Sequence, residues 1–236
     1  EIRAFLEQHP GVRCCLVDDG STDDTREVLG RLASSLPEQV TVLDGAGRQG
    51  KAGAVRQGVL YYLAQTDADV IGYWDADLAT PLSEVELLVE ACRASDDRIA
   101  AFGSRVKRLG TQITRSLVRH YVGRVFATFA SITLRLPVYD SQCGAKMFRR
   151  EAAVVAFTDP FLTKWLFDVE ILARLRNHYA GQDVSQTIME VPLRTWTGIG
   201  GSKLRAWHFL HAPSQLWRIA RPYNSRAAWP RRSRNA

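Results

Sequence analysis

The stretch Ile71-Gly72-Tyr73-Trp74-Asp75-Ala76-Asp77 decides how this chain is read. It is apolar and aromatic up to Trp74 and then carries two carboxylates one residue apart. A short apolar run bounded by polar residues reads as a buried strand. In a strand, residues i and i+2 point to the same side. Asp75 and Asp77 are therefore expected to converge on one hard cation. Oxygen-only ligand sets suit Mg²⁺ or Mn²⁺, and Mg²⁺ usually completes its shell with substrate phosphates. A plainer alternative makes the same residues the approach to a helix, because Ala79-Thr80-Pro81 opens onto Leu82–Cys92. Asp-x-Asp recurs freely in unrelated sequences, so the flanking chain has to decide between them.

Outward from this stretch, apolar runs alternate with helical patterns. Val12–Val17, Val40–Leu43, Val70–Trp74 and Ile99–Gly103 read as strands. Thr25–Leu36, Gly50–Leu63 and Leu82–Arg93 read as the helices between them, and Ile2–Gln8 as the end of another. The alternation predicts a single α/β domain, its sheet mainly parallel with helices on both faces. Ligands of such sheets bind at the carboxyl ends of the strands. Asp18-Asp19 and Asp75-Ala76-Asp77 both fall there, so one site can draw on both.

Further on, Thr114–Leu136 carries an apolar stripe at Val118, Val122, Val125, Phe129 and Ile132, flanked by Arg115, Arg119 and Arg124. It reads either as a core-facing helix or as one lying in a headgroup layer. Trp165–Tyr179 is a helix carrying Asp168 and Glu170. Ile188–Leu193 is an edge strand, since Pro192 has no ladder donor. Gly198–Lys203 is a glycine-rich basic loop in which Ser202 and Lys203 suit a phosphate.

The composition bounds the function. The 236 residues are 46% hydrophobic and 24% charged, which fits a globular domain with one core. A net charge of +6 points to an anionic partner: nucleic acid, phosphorylated substrate or membrane surface. The excess is clustered, with no acidic residue between Arg98 and Tyr139 and none after Glu190. No apolar run reaches the roughly 18 residues of a membrane span. Cys14, Cys15, Cys92 and Cys143 form no Cys-x-x-Cys pair and read as reduced core thiols of a cytosolic setting. Gly45–Gly50 matches a dinucleotide fingerprint and Gly45–Lys51 a phosphate loop. The first follows the wrong strand, and the second has Ala52 where a magnesium-binding hydroxyl belongs. A glycine-rich turn accounts for both.

Six motifs occur in order: Val17–Thr25, Gly50–Arg56, Asp75-Ala76-Asp77, Gly103-Ser104-Arg105, Asp140-Ser141-Gln142-Cys143-Gly144 and Gly201-Ser202-Lys203. Together they resemble the inverting family-2 glycosyltransferases of GT-A fold, over about residues 1–205. Within these the chain is most similar to dolichyl- or polyprenyl-phosphate β-glucosyltransferases, the sisters of dolichyl-phosphate mannose synthases. The resemblance implies a role at each matching position. Val17 and Asp19 would hold the nucleoside. Lys51, Asp75 and Ala76 would line the donor site, with Asp75 and Asp77 meeting Mg²⁺ or Mn²⁺. Arg105, Ser202 and Lys203 would bind phosphates, and Asp140 is the candidate base. The donor would be UDP-glucose, since Ala79 stands where mannose synthases carry a metal-binding Gln. The acceptor would be a polyprenyl or dolichyl phosphate.

Three departures accompany the match. The family's opening strand is absent, Ala52 replaces a usual Gly, and Ala79 replaces that Gln. The expected organisation is a transferase domain over 1–203, incomplete at its start, and an amphipathic basic segment over 204–236. The expected location is peripheral, on the cytoplasmic face of a membrane, with an anionic surface as partner and no nucleic acid. Two other functions fit less of the sequence. One is a related transferase using GDP-mannose or a sugar hydroxyl acceptor, which would need a true base. The other is a non-catalytic nucleotide- or nucleic-acid-binding module, against which stands the lack of base-stacking signatures.

Overall fold

A computed structural model of the chain describes residues 1–45, 47–114, 117–198 and 206–224. Its first half alternates as the pattern requires: α1 (Ile2–Gln8), β1 (Cys14–Asp18), α2 (Thr25–Ser35), β2 (Val40–Asp44), α3 (Lys51–Gln65) and β3 (Val70–Trp74). A 3-10 turn over Leu82–Glu84 leads into α4 (Val85–Arg93) and β4 (Ala100–Ser104). The second half is β5 (Gln112–Thr114), α5 (Leu117–Leu134), β6 (Ala145–Arg149), α6 (Arg150–Phe157), α7 (Phe167–His178), α8 (Val184–Thr187), β7 (Ile188–Pro192), β8 (Thr195–Thr197) and α9 (Ala206–Asn224).

The central sheet has the order β3-β6-β4-β7. It is mixed: β7 runs parallel to β4, and β6 runs antiparallel between β3 and β4. Because β3 and β4 still point the same way, their carboxyl ends open on one edge. The N-terminal end of β6 joins them there, with Trp74 opposite Ala145. β7 lies at the edge, as Pro192 requires.

Alternation along β6 divides the core in two. Lys146 and Phe148 face the side covered by α3, α6 and α7, among Tyr73, Phe102, Phe157 and Phe167. Ala145 and Met147 face the side covered by α4, with Leu88, Cys92, Ala101 and Val191. The Phe148 ring lies 5.3 Å from that of Phe102 and 5.4 Å from that of Phe157, both edge-on. Such pairs add about 0.5–1.5 kcal/mol each beyond their burial. Gly72 is glycine because a Cβ there would come within 2.3 Å of both the Lys146 carbonyl oxygen and the Met147 sulfur.

β1 and β2 form a separate parallel pair, and no described strand joins β1 to β3. Both strands instead line one cleft of about 1910 Å³, and α3 packs against both. The sheet is thus divided among the described residues.

Two helices depart from the sequence pattern. α5 buries Phe126, Ala127, Ala130 and Leu134, and it turns Val125, Phe129 and Ile132 outward at 58%, 59% and 69% exposure. The apolar stripe read from the sequence is therefore the outer face over these residues. α9 buries Ala212, Leu216 and Ile219 in the main core and exposes Trp217. Leu216 and Ile219, within the segment expected to be amphipathic and basic, belong to the core.

Backbone amides report how deeply each strand is locked. Hydrogen exchange should find β4, paired on both edges, the slowest of these strands. Cleft-side amides of β1 and β3 should exchange at least about tenfold faster. Equal protection across β1, β3 and β4 would contradict the divided sheet.

Candidate active site

The sequence-predicted residues gather at the carboxyl edge of the sheet. Lys51, Arg105, Asp140, Asp75, Ala76 and Asp77 all line the large cleft, as does Val17. Ser202 and Lys203 lie outside the described residues.

The strand ends at Trp74, so strand alternation does not set the geometry of Asp75 and Asp77. Residues 75–78 form a turn closed by the Leu78 amide donating to the Asp75 carbonyl at 3.0 Å. Leu78 sits at φ 51°, a left-handed conformation uncommon for a branched aliphatic residue. The two carboxylates have different surroundings as a result. Asp75 is partly buried, and its Oδ1 lies 2.6 Å from Lys51 Nζ. Burial raises its pKa and Lys51 opposes that rise, leaving it above the ordinary value. Asp77 is exposed, accepts one bond from the Ala79 amide at 3.1 Å, and has no cation beside it among the described residues. A hard cation completed by substrate phosphates fits Asp77 directly. At Asp75 it would have to displace Lys51.

Gly144 makes room for this arrangement. A Cβ on it would stand 2.0 Å from the Asp75 carboxyl carbon and Oδ2, while the Asp75 amide donates to the Gly144 carbonyl at 2.8 Å. Glycine is required here by close approach.

Asp19, which the resemblance assigns to the nucleoside, is engaged by the chain's own backbone. Its Oδ1 accepts from the Gln49 amide and its Oδ2 from the Gly50 amide, each at 2.7 Å. Both oxygens are used to hold the turn that starts α3, where Lys51 is the first residue. The same contacts dispose of the phosphate-loop reading, because a carboxylate of the chain itself occupies the amides an anion would take.

Asp140 is also committed. Arg105 Nε and Nη2 donate to its two oxygens at 2.7 Å each, and the Arg105 amide adds a third bond at 3.1 Å. Burial pushes the Asp140 pKa up, but the Arg105 guanidinium outweighs it and brings it down to about 2. A carboxylate so acidic and so tightly bonded is a poor proton acceptor. Its geometry assigns it to orienting Arg105, which also packs 5.4 Å from the Trp196 ring. Glu190 on β7 fixes this pair from behind, accepting from the Tyr139 and Asp140 amides at 2.7 Å.

Sequence reasoning missed the group beneath Asp75. Lys146 is fully buried and donates to Asp168 Oδ1 at 2.6 Å, and the Tyr73 hydroxyl donates to the same oxygen. Burial lowers the Lys51 pKa, but Asp168 and then Asp75 outweigh it and hold it above its ordinary value. Asp75, Lys51, Asp168 and Lys146 therefore alternate in sign from the cleft into the core. The signal was present in Leu166–Leu175, an otherwise apolar buried run interrupted by Asp168, Glu170 and Arg174.

Gly144→Ala should leave the protein folded and displace the Asp75 carboxylate. Titrating a nucleoside diphosphate should show affinity reduced by about tenfold or more, the loss of the one charge-assisted contact by which Lys51 neutralises Asp75 in the cleft. Wild-type affinity in the folded variant would mean that Asp75 is not held by this close approach.

Comparison with known proteins fits this picture. Residues 2–155 match the model of glycosyl transferase family 2. The chain is 32% identical over 219 residues to a dolichyl-phosphate beta-glucosyltransferase of Saccharomyces cerevisiae, covering 85% of this chain and 62% of that protein. It is 34% identical over 233 residues to the Drosophila melanogaster protein of the same name, covering 93% and 68%. The human protein of that name is 31% identical over 221 residues, at 91% and 64% coverage. The chain thus spans about two thirds, or somewhat less, of the length of these relatives. In fold it is similar to glucosyl-3-phosphoglycerate synthase from Mycobacterium tuberculosis in complex with Mn²⁺, UDP-glucose and phosphoglyceric acid. That match has a TM-score of 0.60 and 18% identity, covering 93% of this chain and 74% of the other. The match over most of residues 1–155, together with these relatives, establishes that the chain belongs to glycosyl transferase family 2.

Proposed function

We propose that the protein transfers glucose from UDP-glucose to a dolichyl or polyprenyl phosphate, inverting the anomeric carbon. The observation that carries this is the strand-end cleft, which is lined both by Asp77, paired with no cation among the described residues, and by the cationic groups of Lys51 and Arg105. A nucleoside diphosphate, a sugar and an anionic acceptor need that combination. The names of the curated relatives support glucose and dolichyl phosphate. The UDP-glucose complex of the structural relative supports the donor.

In the reaction, an acceptor phosphate oxygen forms a bond to the anomeric carbon as the bond from that carbon to the UDP oxygen breaks. The electron pair leaves with UDP. Mg²⁺ or Mn²⁺, held by Asp77, supplies charge neutralisation of the diphosphate when bound. Arg105, aimed by Asp140, meets phosphate charge with a guanidinium whose orientation is already fixed. Lys51 neutralises Asp75 and keeps the donor side of the cleft from repelling a diphosphate. The acceptor is already an anion near pH 7, so little proton removal is needed, consistent with Asp140 being locked. The hydroxyl-acceptor alternative needs a free base, and Asp140 does not offer one. Ser202 and Lys203 are assigned to the acceptor or leaving phosphates on sequence grounds, and residues 1–203 to the transferase unit.

A lipid phosphate requires the cleft to meet a membrane. Among the described residues, no helix is long and apolar enough to cross one. The outward Val125, Phe129 and Ile132 of α5 and Trp217 of α9 suit an interface, and the basic segment over 204–236 suits an anionic leaflet. The proposed location is peripheral, on the cytoplasmic face.

The test is a transfer assay with UDP-glucose, GDP-mannose, Mn²⁺ and polyprenyl phosphate, detecting lipid-linked sugar. Product is expected from UDP-glucose alone. Asp77→Asn should lower the rate by roughly a hundredfold or more while leaving the fold intact. Product from GDP-mannose but not UDP-glucose, or full activity in Asp77→Asn, would refute the reading.

A further inference from the structure

A second cavity, of about 500 Å³, lies between the loop preceding α7 and the face of α9. Thr163, Lys164 and Trp165 form one wall, and His211, Ser214 and Arg218 the other. No acidic residue lines it. Lys164 and Arg218 are exposed, and among the described residues no carboxylate pairs with either. Thr163 is 4% exposed, and its hydroxyl oxygen is buried without a hydrogen-bond partner. A buried hydroxyl left unbonded is costly unless something else satisfies it.

Both walls are held in place by one buried ion pair. Arg174 Nη2 lies 2.7 Å from Glu170 Oε1. Arg174 also donates to the carbonyls of Ala156, Asp159 and Pro160 at 2.7–2.8 Å, and Glu170 accepts from the Leu162 amide at 2.8 Å. The loop is thereby fixed just before Thr163. The Tyr223 hydroxyl, near the end of α9, reaches both Arg174 and Glu170 at 3.3 Å. Loop and helix are registered against each other by the same two charges. A cavity whose walls are fixed in this way meets an anion with little rearrangement of the backbone.

We infer that this cavity is a second anion site, separate from the strand-end cleft, and that it takes a phosphate group. Lys164 and Arg218 supply charge from opposite walls, while Thr163 supplies a hydroxyl donor. The phosphate can belong to a lipid headgroup or to a free phosphate. Lys164 and Trp165 also line the large cleft, so an occupant of this site would sit beside the wall that both cavities share. The inference rests on this geometry and not on the transferase reading.

The experiment is amide NMR on the full chain, following residues 214–218, which lie outside the large cleft. The probes are inorganic phosphate and the soluble short-chain lipid dihexanoyl phosphatidic acid. Saturable shifts at these amides are expected. Arg218→Gln should weaken the response about tenfold or more, the loss of one charge-assisted contact, and Thr163→Val should weaken it by a smaller factor. Tighter binding of the phosphatidic acid would identify a lipid headgroup as the source, and tighter binding of inorganic phosphate a free anion. Amides that do not move with either probe would overturn the inference. So would equal titrations of the wild type and an Arg218→Gln variant of unchanged melting temperature.

Discussion

The ion pair between Lys146 and Asp168 is the constraint on which the site depends. Lys146 is the second residue of β6, opposite Tyr73 on β3 and Phe102 on β4, with no exposure to solvent. Taking an ammonium into such a position costs several kcal/mol, repaid only if a partner and good hydrogen bonds are present. Asp168 is that partner, placed in the first turn of α7, where the helix dipole favours a carboxylate. The pair therefore fixes α7 over the sheet directly beneath the strand end. The Lys146 ammonium also lies 5.5 Å from the Tyr73 ring and 5.3 Å from the Phe102 ring, so aromatic faces complete its surroundings.

From this base the site is built outward by alternating charge. Asp168 raises the affinity of Lys51 for its proton, and Lys51 in turn holds Asp75. A parallel unit lies across the cleft, where Glu190 holds the backbone of Asp140 and Asp140 holds Arg105. Both units bring a cation to the cleft wall with its counter-charge behind it. Of Asp19, Asp75, Asp77 and Asp140, Asp77 is the one left exposed with one hydrogen bond, the state expected of a group whose partner arrives with the substrate.

Much of the fold was legible in the sequence. α1 and β3 have the bounds that periodicity assigned, and the motifs within the described residues contribute to one cleft because strands of this class end together. The unread parts share a cause: each depends on a partner distant in sequence. β5 and β8, of three residues each, exist by pairing with one another and carry no local signature. The direction of β6 is not written in its composition. Helix α6 follows β6 without a break, so its apolar residues read as one run with the strand. Asp19 and Asp140 look like ligand-binding carboxylates until their partners at Gln49, Gly50 and Arg105 are seen. The stripe on α5 read equally as core-facing or interfacial; over its described residues it faces outward, because Phe126, Ala130 and Leu134 form a second stripe that takes the core side.

A double-mutant cycle across Lys146 and Asp168 tests the dependence most directly, with unfolding free energy as the readout. Lys146→Met or Asp168→Leu alone strands a buried charge and should each cost about 3–5 kcal/mol. Combined, they leave no buried charge to satisfy, and the double variant should be more stable than either single one. Single variants that each cost less than about 1 kcal/mol and add without coupling would contradict the account, because the ion pair would then not be what holds α7 beneath the site.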